Sequence, residues 1–220
     1  MMDSQLAQPL DSQLFHDVVR GRHATRVYNS EIKVAKEEIT EIIEQATLAP
    51  SGGNLQSWRF LVMDSPELKQ KLLPIAYNQK QVVEASAVIV VLGDLECYTM
   101  ADKIYGRAVD AGFLSEDMAK TFIKRYTDLY SNMSSEEIRQ TICIDCGLAS
   151  MQLMLTARSK GYDTGPMSGF DKEKFLEAFN ISDRYFPVLL ITFGKAKAPA
   201  YPTVRLPIQD VTFFNESLSE

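Results

Sequence analysis

Hydrophobic residues recur along this chain at helical spacing in some segments and in compact runs in others, which predicts alternating helices and strands. The first strong helix is predicted over residues 37–49 and ends at Pro50. Its evidence is one apolar stripe at positions i, i+3, i+4 and i+7, formed by Ile39, Ile42, Ile43 and Ala46. A second helix should begin near Pro66, because proline is favoured in the first helical turn.

Runs of β-branched and aromatic residues predict the strands. One run covers residues 58–63 and another covers 187–193. Between them, residues 87–92 (AVIVVL) are apolar at every position. Such a run indicates a central strand that is covered on both faces.

The second half of the chain is predicted to be mainly helical. Residues 94–132 mix tyrosines and phenylalanines with charged residues, which suggests a helical excursion from the sheet. Ser134 and Glu137 form a capping box that opens a long helix running to a C-terminal glycine at Gly161. A further helix is predicted over 171–179.

The pattern predicts one domain over residues 1–220, with an N-terminal arm over 1–14 and an extended C-terminal tail over 195–220. Prolines in the tail disfavour a helix, so we expect it to lie along another surface, such as that of a partner subunit. The expected fold class is α+β, with an α/β-like three-layer arrangement in which helices flank a mixed central β-sheet.

Composition narrows the class of protein. A hydrophobic fraction of 45% with 24% charged residues is typical of a soluble protein, and the longest apolar run, 85–92, is too short for a membrane span. The N-terminus lacks the pattern of a secretory signal, and three cysteines fit a reducing compartment, so we expect a cytoplasmic protein. A net charge of -6 argues against nucleic acid as a partner.

The cysteines leave two interpretations open. Cys143 and Cys146 form a C-x-x-C motif that could serve redox or metal chemistry, or could be two small residues facing the core. The motif lies inside a helical pattern, which favours the second interpretation. Because His16 and His23 are the two histidines of the chain, no metal site is predicted.

Two segments carry candidate binding chemistry, although the chain has neither a G-x-G-x-x-G nor a P-loop motif. Arg22 and Arg26 are four residues apart and could converge on one phosphate, or could form a solvated basic patch. The loop 49–60 (APSGGNLQSWRF) combines glycines with uncharged donors and acceptors, which suits a flat polar ligand; an ordinary turn is the alternative.

These two segments resemble the N-terminal signature of the FMN-dependent nitroreductase family. The resemblance rests on Arg22-His-Ala-Thr-Arg26 followed by Pro50-Ser-Gly-Gly-Asn54-x-Gln56-x-Trp58. It continues through Asn78-Gln-Lys-Gln81, Gly165-Pro-Met-Ser-Gly-Phe170 and Arg205-Leu-Pro207, in the family's order. Together the five motifs cover roughly residues 15–215.

The resemblance implies FMN as cofactor, NADH or NADPH as electron donor, and a nitroreductase-like homodimer with domain-swapped tails. Arg22, His23 and Arg26 would hold the phosphate and ribityl chain, and Arg205 would add a second phosphate contact. Ser51, Gly52 and Asn54 would contact the flavin across the dimer interface. The full set of implied cofactor-binding residues is Arg22, His23, Ala24, Arg26, Pro50, Ser51, Gly52, Asn54, Gln56, Asn78, Gln81, Pro166, Met167, Ser168, Gly169 and Arg205.

Four positions depart from the family pattern. Ala24 stands where many members have serine, Gln81 where some have lysine, and Thr203 where some have a second basic residue. Ser168 stands where several members have a glutamate near the flavin N5 atom. No proton donor, and therefore no catalytic residue, is assigned.

By the resemblance, hydride passes from NAD(P)H to FMN and then to a nitroaromatic, a quinone or a similar small acceptor, in a ping-pong mechanism at one site. The aromatic segment 94–132 would be its lid or wall, or else ordinary core. Two alternatives remain: a flavin-binding sensor or FMN carrier without significant turnover, and another family reaction such as dehydrogenation or dehalogenation.

Overall fold

A computed structural model describes residues 12–215, and a four-stranded sheet lies at its centre. The strands follow the order β1-β2-β4-β3 and comprise Trp58–Met63 (β1), Ala87–Asp94 (β2), Asp163–Met167 (β3) and Tyr185–Gly194 (β4). Every residue of β2 is buried, as predicted for a central strand.

Eight α-helices surround this sheet within residues 12–215: Ser12–Gly21 (α1), Lys36–Ala46 (α2), Pro66–Ile75 (α3), Gln81–Glu84 (α4), Ala101–Asp110 (α5), Glu116–Asn132 (α6), Ser135–Ser159 (α7) and Lys172–Ala178 (α8). The capping box of Ser134 and Glu137 opens α7 as predicted. Gly161 follows α7 with a φ of 75°, the left-handed conformation that favours glycine after a helix. The sequence pattern did not predict α1 or α4.

Two cores, one on each face of the sheet, produce three layers. On one face, Ile89 and Val91 of β2 pack with Ile42 of α2 and Leu153 of α7. On the other face, alternate residues of β2 pack against helices α3 and α8. The α+β class with helices flanking a central sheet is therefore confirmed.

The strand directions differ in one respect from the expected mixed sheet. All three strand pairs are antiparallel. Within residues 12–215, parallel pairing is confined to an isolated bridge between Ala24 and Thr164. Alternation of helices with strands does not fix strand direction, because the route of each connection is decided by how its helices pack.

The tail after β4 is extended, as predicted, apart from a 3-10 turn over Ile208–Asp210. Most of its side chains are exposed, including Val204 at 93%. Residues 1–11 of the predicted N-terminal arm and residues 216–220 of the tail lie outside the described residues. Within 12–215, no helix combines the length and apolarity needed to cross a membrane.

Candidate active site

A basic cavity of about 450 Å³ lies where the end of α1 meets the C-terminal tail. Its lining residues are Val19, Arg20, Arg22, His23, Ala24, Arg26, Tyr201, Thr203 and Arg205. No acidic residue in 12–215 lines it, although the chain as a whole carries a net charge of -6. The cavity therefore concentrates positive charge in an otherwise acidic protein, which suits a phosphate group.

The Arg22 guanidinium provides the sharpest evidence for a ligand. Its Nε atom is buried and makes no hydrogen bond to any residue of 12–215. A buried, unpaired donor of a charged group is costly, so it requires a partner that residues 12–215 do not supply. An anion in the basic cavity would satisfy it.

A second, smaller cavity of about 150 Å³ adjoins the first, since Ala24 and Arg26 line both. Its remaining lining residues are Thr25, Gln79, Gln81, Gly165, Pro166, Met167 and Gly169. The Gln81 amide donates hydrogen bonds to Gln79 Oε1 at 3.0 Å and to Met167 Sδ at 3.6 Å. This end of the site therefore presents uncharged amides and backbone.

Strand β3 and the 22–26 segment are held together by close backbone packing. The Thr25 N–H donates to the Thr164 carbonyl oxygen at 2.9 Å. A Cβ atom at Gly165 would lie 2.4 Å from the Thr25 carbonyl oxygen, so only glycine permits this approach. At Gly169, by contrast, a Cβ atom would meet nothing within 4 Å, which leaves that flank open.

These features fit FMN. The basic cavity would hold the phosphate, and the adjoining amide-lined cavity would receive the polar edge of the flavin ring. The site is cationic where the FMN phosphate would lie and presents uncharged amides where the polar edge of the ring would lie.

The 49–57 loop lies apart from these two cavities within one chain. Asn54 and Gln56 line a third cavity of about 790 Å³, and Pro50 borders an apolar groove formed by α1 and α7. Ser51 and Gly52 line none of the cavities described here. The loop residues of the implied FMN site are therefore not brought to the phosphate residues of the same chain.

Buried groups fix the shape of this loop. Asp145 of α7 accepts hydrogen bonds from the Gly52 N–H at 3.1 Å and from the Ser57 hydroxyl at 2.8 Å. Burial raises the pKa of Asp145, and the Ser57 and Gly52 hydrogen bonds oppose that rise. The Tyr105 hydroxyl donates to the Gly53 carbonyl oxygen at 2.7 Å, and burial raises the pKa of Tyr105 to about 12.

Comparison with known proteins decides the family. A sequence model described as the nitroreductase family matches residues 19–195. The chain belongs to the nitroreductase family. This confirms the resemblance found in the sequence motifs and the class of enzyme, an FMN-dependent oxidoreductase that uses NAD(P)H.

Individual relatives support the same assignment. YdgI of Bacillus subtilis, named as a candidate NAD(P)H nitroreductase, is 46% identical over 199 residues, which cover 90% of this chain and 95% of YdgI. A candidate nitroreductase from Exiguobacterium sibiricum, solved in complex with FMN, is 44% identical with a TM-score of 0.88, covering 95% of this chain and 99% of that one. A candidate NAD(P)H:FMN oxidoreductase from Staphylococcus epidermidis is 39% identical with a TM-score of 0.89 and covers 96% and 99%.

Besides the residues of the 50–56 loop, two further residues of the implied nitroreductase site, Asn78 and Ser168, lie outside the two adjoining cavities. Asn78 is exposed, with a φ of 56°, and its neighbour Gln79 lines the smaller cavity instead. The Gln79 side chain donates to the Gly169 carbonyl oxygen at 3.2 Å and so connects the segment before α4 to the segment after β3. Ser168 is also exposed and does not line that cavity.

The sequence motifs did not identify several residues that line the two adjoining cavities, although some of these residues lie within the quoted motifs. Gln79 lies within the quoted motif Asn78–Gln81, and Thr25 lies within Arg22–Arg26. Arg20 and Tyr201 gave no motif signal, because their contribution depends on the tail packing beside α1. Asp145 was detectable only as a single charge within the apolar pattern of α7.

The C-x-x-C cysteines of this nitroreductase face different environments. Cys143 is exposed and Cys146 is buried, and both are free. Burial raises the pKa of the Cys146 thiol to about 12, which keeps it in the unreactive thiol form. No cluster of metal-binding side chains occurs in the part of the chain that the structure describes.

Proposed function

We propose that this protein takes electrons from NADH or NADPH and passes them to nitroaromatics, quinones or similar small acceptors, in a ping-pong mechanism. The observation that carries the proposal is the continuous site with a basic end and an amide-lined end, in which Arg22 Nε is buried without a partner. When bound, FMN supplies the two-electron chemistry by accepting and donating hydride at N5.

The chain's own residues bind and orient the cofactor. Arg22, Arg26 and Arg205 line the basic cavity with His23 beside them, and they would hold the phosphate through charge-assisted hydrogen bonds. The Gln81 amide lines the smaller cavity, and with FMN bound it would donate to the pyrimidine edge in place of its 3.6 Å contact with Met167 Sδ, which would favour negative charge on the ring. The backbone of Pro166 to Gly169 would lie beside the bound ring, and the open flank at Gly169 would leave room for donor and acceptor in turn.

We infer that the working form is a homodimer. Ile144, Leu148 and Met151 form an exposed apolar stripe on α7, and Ile144 is 65% exposed. The same helix face borders an apolar groove of about 650 Å³ together with Phe15 of α1 and Pro50. A second copy seated on this face would cover the stripe and bring the loop that follows Pro50 towards the partner's flavin.

The exposed tail is consistent with the same proposal. Its large apolar side chains from Tyr201 to Phe214 are exposed, with no covering surface among residues 12–215. Tails exchanged between subunits would cover them. We also propose a cytoplasmic location, because all three cysteines are free.

Steady-state oxidation of NADH and NADPH with menadione or nitrofurazone as acceptor tests the enzymatic proposal. We expect saturable turnover and the parallel double-reciprocal lines of a ping-pong mechanism. A flavin-loaded protein without turnover would favour a carrier or sensor and contradict the proposal.

Light scattering tests the dimer: a particle of twice the 24.7 kDa chain mass is expected, whereas a flavin-loaded monomer would refute the cross-subunit site.

A further inference from the structure

The cavity of about 790 Å³ beside the 49–57 loop lies outside the FMN-binding cavities of the same chain. Helix α5 forms one wall through residues at helical spacing, namely Lys103, Ile104, Arg107, Ala108 and Ala111. The opposite wall includes Asn54 and Gln56 of the loop. We name this cavity the α5 cleft.

Three cationic side chains line the α5 cleft, and no acidic residue of 12–215 does. The Arg59 charge is compensated, because its guanidinium donates to the buried carboxylate of Asp94 at 2.6 Å. The side chains of Lys103 and Arg107 make no hydrogen bond or ion pair within the described part of the chain. Two uncompensated cations therefore face one cleft in a protein of net charge -6.

The rest of the α5 cleft is largely apolar. Phe113, Ile104, Met100 and Leu48 line it beside the two cations. Its volume is in the range of small-molecule sites. A ligand that complements this surface has an apolar body and one anionic end.

The position of the cleft connects it to the proposed reaction. Asn54 and Gln56 line it and belong to the loop that, under the proposed function, contacts the partner's flavin. A molecule in the cleft would then extend from the cations of α5 towards that flavin.

We propose that Lys103 and Arg107 bind the anionic end, a carboxylate or a phosphate, of a substrate that reacts at the partner subunit's flavin. This inference rests on the proposed function and specifies its substrate class.

The test compares Lys103→Gln/Arg107→Gln with a control, Lys120→Gln/Lys124→Gln, that removes the same charge. Lys120 and Lys124 are exposed on α6, are paired with acidic neighbours and do not line the cleft. The acceptors are para-nitrobenzoate and its neutral analogue para-nitrobenzyl alcohol. The donors are NADH and the phosphate-free donor N-benzyl dihydronicotinamide. Flavin content is measured for each variant.

In the α5 variant, KM should rise about tenfold for at least one anionic substrate, with kcat and flavin content unchanged. A rise for para-nitrobenzoate identifies a carboxylate acceptor, and a rise for NADH identifies the donor's phosphates. Both neutral analogues and the control variant should keep their wild-type KM. Unchanged KM values throughout, or equal rises for charged and neutral substrates, would overturn the proposal.

Titration calorimetry separates this inference from the enzymatic one. If the wild-type protein shows no turnover, the proposed function fails, yet binding of para-nitrobenzoate and inorganic pyrophosphate to the flavin-loaded protein can still be measured. About tenfold weaker binding of either anion to the α5 variant than to the control would support the cleft as an anion site. Equal binding by both variants would overturn it.

Discussion

Replacing Asp145 tests whether this buried carboxylate holds the 49–57 loop in place. Asp145 is 4% exposed, and Ser57 is fully buried. In Asp145→Ala, the Ser57 hydroxyl loses its carboxylate partner inside the protein. The Gly52 N–H loses its partner as well, but Gly52 is exposed, so water can replace that bond. In Asp145→Asn, the amide can accept from Gly52 and donate to the Ser57 hydroxyl.

The magnitude follows from these contacts. Hydrogen bonds to a charged group contribute about 1.5–3 kcal/mol each, and an unsatisfied buried hydroxyl adds a cost of similar size. Relief of the desolvation of Asp145 offsets part of the loss. We therefore expect Asp145→Ala to lower the free energy of unfolding by about 2–4 kcal/mol, and Asp145→Asn to change it by less than about 1 kcal/mol.

Urea unfolding followed by far-UV circular dichroism, at one protein concentration, measures both variants. An Ala variant as stable as wild type, or an Asn variant as unstable as the Ala variant, would refute the reasoning.

The pH dependence of the free energy of unfolding gives a second check. Because burial raises the pKa of Asp145, the part of its contribution to stability that depends on protonation is fully present below the ordinary Asp pKa and is lost as the pH rises through the raised value. From about pH 4 upward, wild type should lose stability relative to Asp145→Asn.

Two further substitutions test the surroundings of the site. In Gly53→Ala, a Cβ atom would lie 2.6 Å from the Tyr126 ring at a φ of 57°, so we expect a loss of about 1–3 kcal/mol in urea unfolding. Gly106→Ala, in α5 with nothing within 4 Å, should instead gain about 0.5–1 kcal/mol; the same sign for both variants would contradict this account. Arg184→Met removes hydrogen bonds of 2.6 and 2.8 Å to the buried Asp94 carboxylate, so thermal unfolding should show a loss of about 2–3 kcal/mol, and an unchanged melting temperature would argue against it.

The elements that the sequence predicted well are those whose signal is local. The all-apolar run 87–92 identified the central strand, and the pairing of Ser134 with Glu137 identified the start of α7. The proline at position 66 likewise identified the first residue of α3. Each of these signals depends on neighbouring residues and needs no knowledge of the fold.

Strand direction and most of the cavity geometry depend on distant contacts, so the sequence could not supply them. The antiparallel pairing of β2 with β4 joins segments about a hundred residues apart along the chain. The role of Asp145 depends on contacts with Gly52 and Ser57, 93 and 88 residues away. Family motifs named Arg22, Arg26 and Arg205, which line the basic cavity, but only the structure showed that Gln79, rather than Asn78, lines the smaller cavity.

The flavin content of purified protein tests the central claim, that the basic cavity holds the phosphate of FMN. Wild-type protein should carry about one flavin per chain, seen as absorbance in the blue, and Arg22→Ala/Arg205→Ala should lose it, because two charge-assisted contacts are removed. Lys120→Gln/Lys124→Gln should retain the wild-type flavin content, which controls for the loss of two positive charges. A double arginine variant that folds and still carries stoichiometric FMN would contradict the claim.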